Sequence, residues 1–345
     1  MSSAPPRSAT LDLTIGVIGL WLASGFLLDS WAHLHVPVET FFTPYHGVFY
    51  AAMATGAVVL IVTALRNRSK GYTGWNVLPA PYQQAMIGVP IFFLGGVGDL
   101  IWHTIFGIED RVEAVTSPTH LIIGLGVLIV TSAPIRSALE SRDELKTLFS
   151  QLPLLFSIAT WLEFIHLGTA YVFEPAAARI YTPPNGILYS PDYFTNSTLL
   201  LYKVGAGVAI VLLQTLILML FVVWVASRFK LRPGAMVVLF LTANCIIAAA
   251  LTNDTLLFVT YVIMSVVAGI VADILIAGAD GPLQPPALRV FGFVVPVVYY
   301  GTYFAVTALS GGVWMNPSLV GGALVWAGVA GVGLTLLVPE TARSG

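Results

Sequence analysis

Charge is what this chain has least of. Only 9% of its 345 residues are Asp, Glu, Lys or Arg, while 57% are hydrophobic. Soluble domains carry about a quarter charged residues, so the composition excludes a soluble globular fold and indicates a polytopic membrane protein. The formal net charge is −2, and no basic, aromatic-interleaved segment is present, which excludes nucleic acid as a partner. Cysteine is represented by Cys245 alone, inside an apolar run. Disulfides within the chain and thiolate metal clusters are thereby ruled out, and any bound metal must be held by nitrogen and oxygen. Histidine is missing altogether after position 166.

What is present is a series of apolar runs near 12–34, 45–65, 84–106, 118–138, 147–173, 199–227, 234–251, 255–278, 289–310 and 318–338, each long enough to cross roughly 30 Å of hydrocarbon. The expected fold is an all-α transmembrane helix bundle of about ten spans. The first run is read as a retained span, because cleavage of a signal peptide there would endanger the polar residues at its end. Placing both termini in the cytoplasm puts Arg7, Arg66, Arg68, Lys70, Arg136, Arg142, Lys146, Arg228, Lys230, Arg232, Arg289 and Arg343 on the inner side, twelve of the fifteen basic residues, as the positive-inside rule expects. The expected organisation is a cytoplasmic tail (1–11), a polar helix bundle (12–173), an outer loop (174–198), an apolar helical scaffold (199–338) and a second tail (339–345). Glycines 321, 322, 328, 331 and 333 allow close helix approach in the scaffold. Contact with other subunits, including a homo-oligomer, is compatible with such faces.

Within the polar half, ionisable residues stand where hydrocarbon is expected, which marks function. In the stretch DSWAHLHVPVETFFTPYH, Asp29 and His33 are one helical turn apart, so both project from one face, and His46 follows a break containing Pro37 and Pro44. The pattern recurs: Asp99 and His103 repeat the step, Glu109 matches Glu39, and Ser117-Pro118-Thr119-His120 matches Thr43-Pro44-Tyr45-His46. Imidazole with carboxylate suits copper, zinc or non-haem iron. Asp29, His33 and His46, and again Asp99, His103 and His120, are therefore candidate metal ligands. His35, two positions past His33, points to another side of its helix and is a candidate only for an additional ligand or a supporting role. Glu163 and His166 form a Glu-x2-His pair on the fifth span, a spacing used in carboxylate di-metal bundles, and either complete a site or orient a ligand. Glu39 and Glu109 have the same supporting role, or that of solvated loop acids. The second connection, 107–117, is longer and more acidic than the first, so an ion at the second site is expected to exchange more readily.

At these residues the sequence resembles the C subunit of the copper-containing particulate methane and ammonia monooxygenases. That family carries Asp-x3-His-x12-His ending in Thr-Pro-x-His, matched at Asp29, His33 and Thr43-Pro44-Tyr45-His46. Its second motif, Asn-x3-His-Thr-x-Phe with a downstream Glu and a final Pro-x-His, is matched by Asp99, His103-Thr104, Phe106, Glu109 and Pro118-Thr119-His120. The match covers roughly residues 20–130. It departs from the family at Asp99, where the family has Asn, at Pro37 to Thr40, in the longer second spacing and in the number of spans. The resemblance implies copper, oxidation of a small apolar substrate by O2, other membrane subunits, and an outer electron donor or cupredoxin-bearing partner; the orientation read from the basic residues places the metal sites in the outer half of the cytoplasmic membrane. The rival reading is a membrane metal transporter or metal-loading protein. It calls for polar residues continuing along the first spans, whereas 13–22, 54–65, 86–94 and 122–130 carry no charge.

Overall fold

The computed structural model describes residues 4–36, 40–108, 116–169, 197–251, 255–310 and 315–338. Among these residues the architecture is all-α, with no strand. The helices are α1 (Ala9–His35), α2 (Pro44–Arg68), α3 (Ala85–Phe106), α4 (Pro118–Glu140), α5 (Leu148–Gly168), α6 (Ser197–Arg228), α7 (Ala235–Leu251), α8 (Thr255–Ala277), α9 (Pro285–Ser310) and α10 (Pro317–Leu336). Nine of the ten are long and apolar enough to cross a membrane. The exception, α7, has 17 residues, about 25 Å of helix, short of a full span. Large apolar side chains such as Val58, Leu94, Ile105 and Leu121 remain exposed, as hydrocarbon contact requires. The fifth helix ends at Gly168, so the expected continuation to 173 falls largely outside the described residues.

The chain forms two compact units, 1–168 and 169–345. In the first, α1 packs against α2, α4 and α5, and α3 against α4. Capping chemistry sets the helix starts. Ser8 accepts the Leu11 N–H, Thr43 the His46 N–H and Ser117 the His120 N–H, with Pro44 and Pro118 at the first helical position, where a missing N–H costs nothing. The core is built from Ile15, Leu22, Phe49, Met53, Phe92, Ile123 and Val127.

At the end of this unit far from the histidines, Asp12 is wholly buried. It accepts hydrogen bonds from Tyr82 Oη (2.7 Å), Ser137 Oγ (2.8 Å) and Arg7 Nε (2.8 Å), and Arg7 also reaches Glu144. A charge this deep is tolerated because it is paired and fully bonded.

The second unit comprises α6 to α10. Asp273 on α8 caps α7 by accepting from the backbone N–H groups of Gly234, Met236 and Val237 at 3.0–3.4 Å. Its core is less bland than the composition implies, since Asn244 bonds both Ser265 (2.9 Å) and Tyr299 (2.8 Å) in a buried network.

Candidate metal centre

The two copies of the motif form two helix pairs, α1–α2 and α3–α4, and their histidines gather at one end of the first unit. His33 Nε2 and His46 Nε2 both stand 3.5 Å from the same oxygen, Oδ2 of Asp29. This distance is too long for a charge-assisted hydrogen bond, about 2.7–2.9 Å. It matches two ligands of a shared ion: donors about 2.1 Å from a metal, at angles near 109–120°, lie roughly 3.4–3.6 Å apart. Among the described residues no hydrogen bond occupies either ring nitrogen of His33 or Nε2 of His46. Asp29 and His46 are buried, which shields the cluster from bulk water.

The second copy converges differently. His103 Nε2 lies 3.5 Å from Asp99 Oδ2, whereas His120 Nε2 approaches the other oxygen, Oδ1, at 3.2 Å. Thr119 also donates to Oδ1, at 2.7 Å. The three ligand atoms that come within 4.8 Å of one another around Asp99 are those of Asp99, His103 and His46. The sequence pairing of Asp99, His103 and His120 is thus split, and His46 belongs to both groups. One ring contact follows another from His33 to His46 (5.8 Å between centroids), His46 to His103 (6.4 Å) and His103 to His120 (5.7 Å).

The hydrogen bonds behind the rings decide which nitrogen faces the carboxylates. His103 Nδ1 lies 3.1 Å from the Gly107 carbonyl oxygen. A carbonyl only accepts, so in the neutral ring Nδ1 carries the proton and Nε2 presents its lone pair toward Asp99. Gly107 can turn its carbonyl back because its φ is +84° at the end of α3, a conformation open to glycine without strain. For His46 the partner is Thr43 Oγ1, 3.1 Å from Nδ1. The same oxygen accepts the His46 backbone N–H, so one hydroxyl both starts α2 and orients the ring.

Of the other candidates, His35 is exposed, stacks on Trp31 and bonds its carbonyl oxygen at 2.9 Å, apart from the cluster. Glu163 and His166 are buried on α5, whose Phe164 packs edge-on to Phe26 of α1, and they belong to neither converging group. Glu39 and Glu109 lie outside the described residues. Sequence reasoning overlooked Thr43, Ser117, Gly107 and Thr119 as positioning residues. A hydroxyl followed by Pro-x-His is a helix-start signal and a glycine after Phe106 a helix-stop signal, so the first three were available from the sequence. Thr119 was not.

No protein-family model, curated protein or solved structure matches this chain.

Proposed function

We propose that this chain is a membrane metalloprotein whose first unit binds copper through Asp29, His33 and His46. A second ion is held at Asp99 and His103, with His46 and His120 as its available neighbours. The observation that carries this reading is the pair of 3.5 Å separations from one Asp29 oxygen to two imidazole nitrogens, with no hydrogen bond among the described residues at either ring nitrogen of His33. Buried polar atoms normally find partners, and a cation is the partner that two lone pairs and a carboxylate can share.

The resemblance to copper monooxygenase C subunits extends the reading to a subunit of a complex that oxidises a small apolar substrate with O2. Copper supplies the one-electron and oxygen chemistry when bound. The chain's own residues set ligand geometry through Thr43 and Gly107, exclude bulk water by burying Asp29, Asp99 and His46, and admit an apolar molecule along lipid-facing helices. Electron-donor and further membrane subunits, a cytoplasmic-membrane location with the histidines in its outer half, and inward termini belong to the same proposal. The basic-residue asymmetry supports the orientation.

Metal transport is less well supported. Between Asp29 and Asp12, α1 holds no ionisable side chain for 16 residues, about 24 Å, and Asp12 itself is occupied by three donors. Elemental analysis of the protein purified in lipid nanodiscs tests the reading. One to two equivalents of copper are expected; zinc or iron in its place redirects the chemistry, and a chain that takes up no metal overturns the proposal.

A further inference from the structure

Tyr50 stands one turn after His46 on α2, on the same face, with its ring centroid 6.4 Å from that of His46. Phe49, Phe92 and Phe41 surround the ring at 4.5, 5.4 and 6.1 Å. Its hydroxyl is buried and makes no hydrogen bond among the described residues. Leaving such a group unpaired is destabilising, and phenylalanine would fill the same space without that cost.

Where the hydroxyl points is fixed by Gly96 of α3. A Cβ on Gly96 would stand 2.6 Å from Tyr50 Oη, so the phenol occupies the place of the missing side chain. Gly96 lies three residues before Asp99 on the same helix face, and helical side chains lean toward the N-terminus. The Asp99 carboxylate therefore leans toward the phenol from the adjacent turn. His46, whose ring lies beside this phenol, stands 3.5 Å from Asp29 and shares the other converging group with Asp99, so the carboxylates of both groups neighbour the site. The second copy has glycine, Gly124, at the position matching Tyr50. This phenol thus comes from the first copy alone, contributed from α2 and seated against α3.

We propose that the Tyr50 hydroxyl is a hydrogen-bond donor for a small acceptor molecule, such as water or a triatomic anion, taken up between Asp29 and Asp99 beside the bound metal. This rests on the metal reading above. An O–H fixed by Gly96 and its aromatic surround is oriented before the ligand arrives, so binding requires no reorganisation of the side chain. Tyr50 is in this reading a ligand-positioning residue, outside the metal-ligand set.

The test uses the full chain in nanodiscs, loaded with Cu(II) and titrated with sodium azide, whose charge-transfer absorption on copper reports binding. Wild type and Tyr50→Phe should hold the same copper equivalents, with azide about tenfold weaker in the variant, the worth of one hydrogen bond. The metal-free variant should melt no lower than wild type, since it loses only an unpaired hydroxyl. Gly96→Ala, which displaces the phenol without touching a ligand, should also weaken azide. Equal azide affinity in wild type and Tyr50→Phe sinks the donor role while leaving the metal site standing. Loss of copper in Tyr50→Phe makes the residue a ligand and overturns the proposal in another way. Failure of the wild type to take up copper removes the metal reading and this inference together.

Discussion

Gly25 of α1 lies so close to Phe49 of α2 that a Cβ on the glycine would stand 2.9 Å from Phe49 Cβ and 3.0 Å from its backbone. The second copy repeats the contact: a Cβ on Gly95 would meet Ile123 at 2.9 Å. Each glycine precedes its aspartate by four residues, and each partner follows its histidine by three. The repeated unit is therefore larger than its candidate metal ligands, Gly-x3-Asp-x3-His on one helix and hydroxyl-Pro-x-His-x2-apolar on the next. The glycine brings the two helices near enough for the aspartate and the distant histidine to face one another.

Gly25→Ala should force α1 and α2 apart and lower thermal stability by about 1–3 kcal/mol, the usual cost of overpacking. Copper affinity should fall with it, although no ligand has changed. Gly95→Ala should act likewise on the second pair. Unchanged metal affinity in both variants, read by competition with a chelator, would separate the helix spacing from the site.

Much of this arrangement was legible in the sequence because helix spacing is regular. Of the ten spans expected from apolar length alone, nine are helices long enough to cross a membrane, and Asp29 with His33 followed from the 3.6-residue turn. The split of the second trio was not legible. It depends on Thr119 standing where the first copy has Tyr45, so that a hydroxyl donates to one Asp99 oxygen, and on His46 lying close to α3. Both are contacts between helices that no spacing along one helix reports. Asp12 was passed over for a different reason. It sits one residue outside the charge-free window beginning at Leu13, and only the folded chain brings Tyr82, Ser137 and Arg7 around it.

The two sites should hold metal unequally. Both histidine contacts of Asp29 run through one oxygen, whereas Asp99 has Oδ1 engaged by Thr119 and His120 and offers Oδ2 to His103. His33→Ala should remove about one equivalent of chelator-resistant copper, and His103→Ala mainly an exchangeable fraction. Asp99→Asn should leave the tight equivalent in place, since an amide oxygen still accepts from Thr119. Equal losses from His33→Ala and His103→Ala, after equal chelator resistance in wild type, would show the sites to be equivalent.

Orientation is open to direct labelling. Ser69 follows α2 in an exposed turn, beside Arg66, Arg68 and Lys70, the basic cluster that the positive-inside rule assigns to the cytoplasm. In a Cys245→Ser background, a cysteine placed there by Ser69→Cys should resist an impermeant maleimide added to intact cells and react once they are opened. Labelling of intact cells would invert the orientation and move the histidines to the inner side.

Asp12 supplies a control in which stability and metal binding part company. Its carboxylate is buried and receives three donors from three separate segments, Arg7 in the chain before α1, Tyr82 in the connection before α3 and Ser137 on α4. Asp12→Ala leaves the Tyr82 and Ser137 hydroxyls without their acceptor and Arg7 without its main partner. Breaking a buried ion pair from one side costs about 3–5 kcal/mol, and because Arg7 is partly exposed the lower end of that range is expected. Asp29 lies 17 residues further along the same helix, about 25 Å away, so copper stoichiometry in the folded fraction should not change. A transport route would behave otherwise: if Asp12 received ions from the histidine cluster, its loss would alter metal release from nanodiscs or liposomes with little change in melting. The measurement is a thermal melt beside a copper-release time course. A lower melting temperature with unchanged release fits a structural clamp, and the opposite pattern would make Asp12 part of a path.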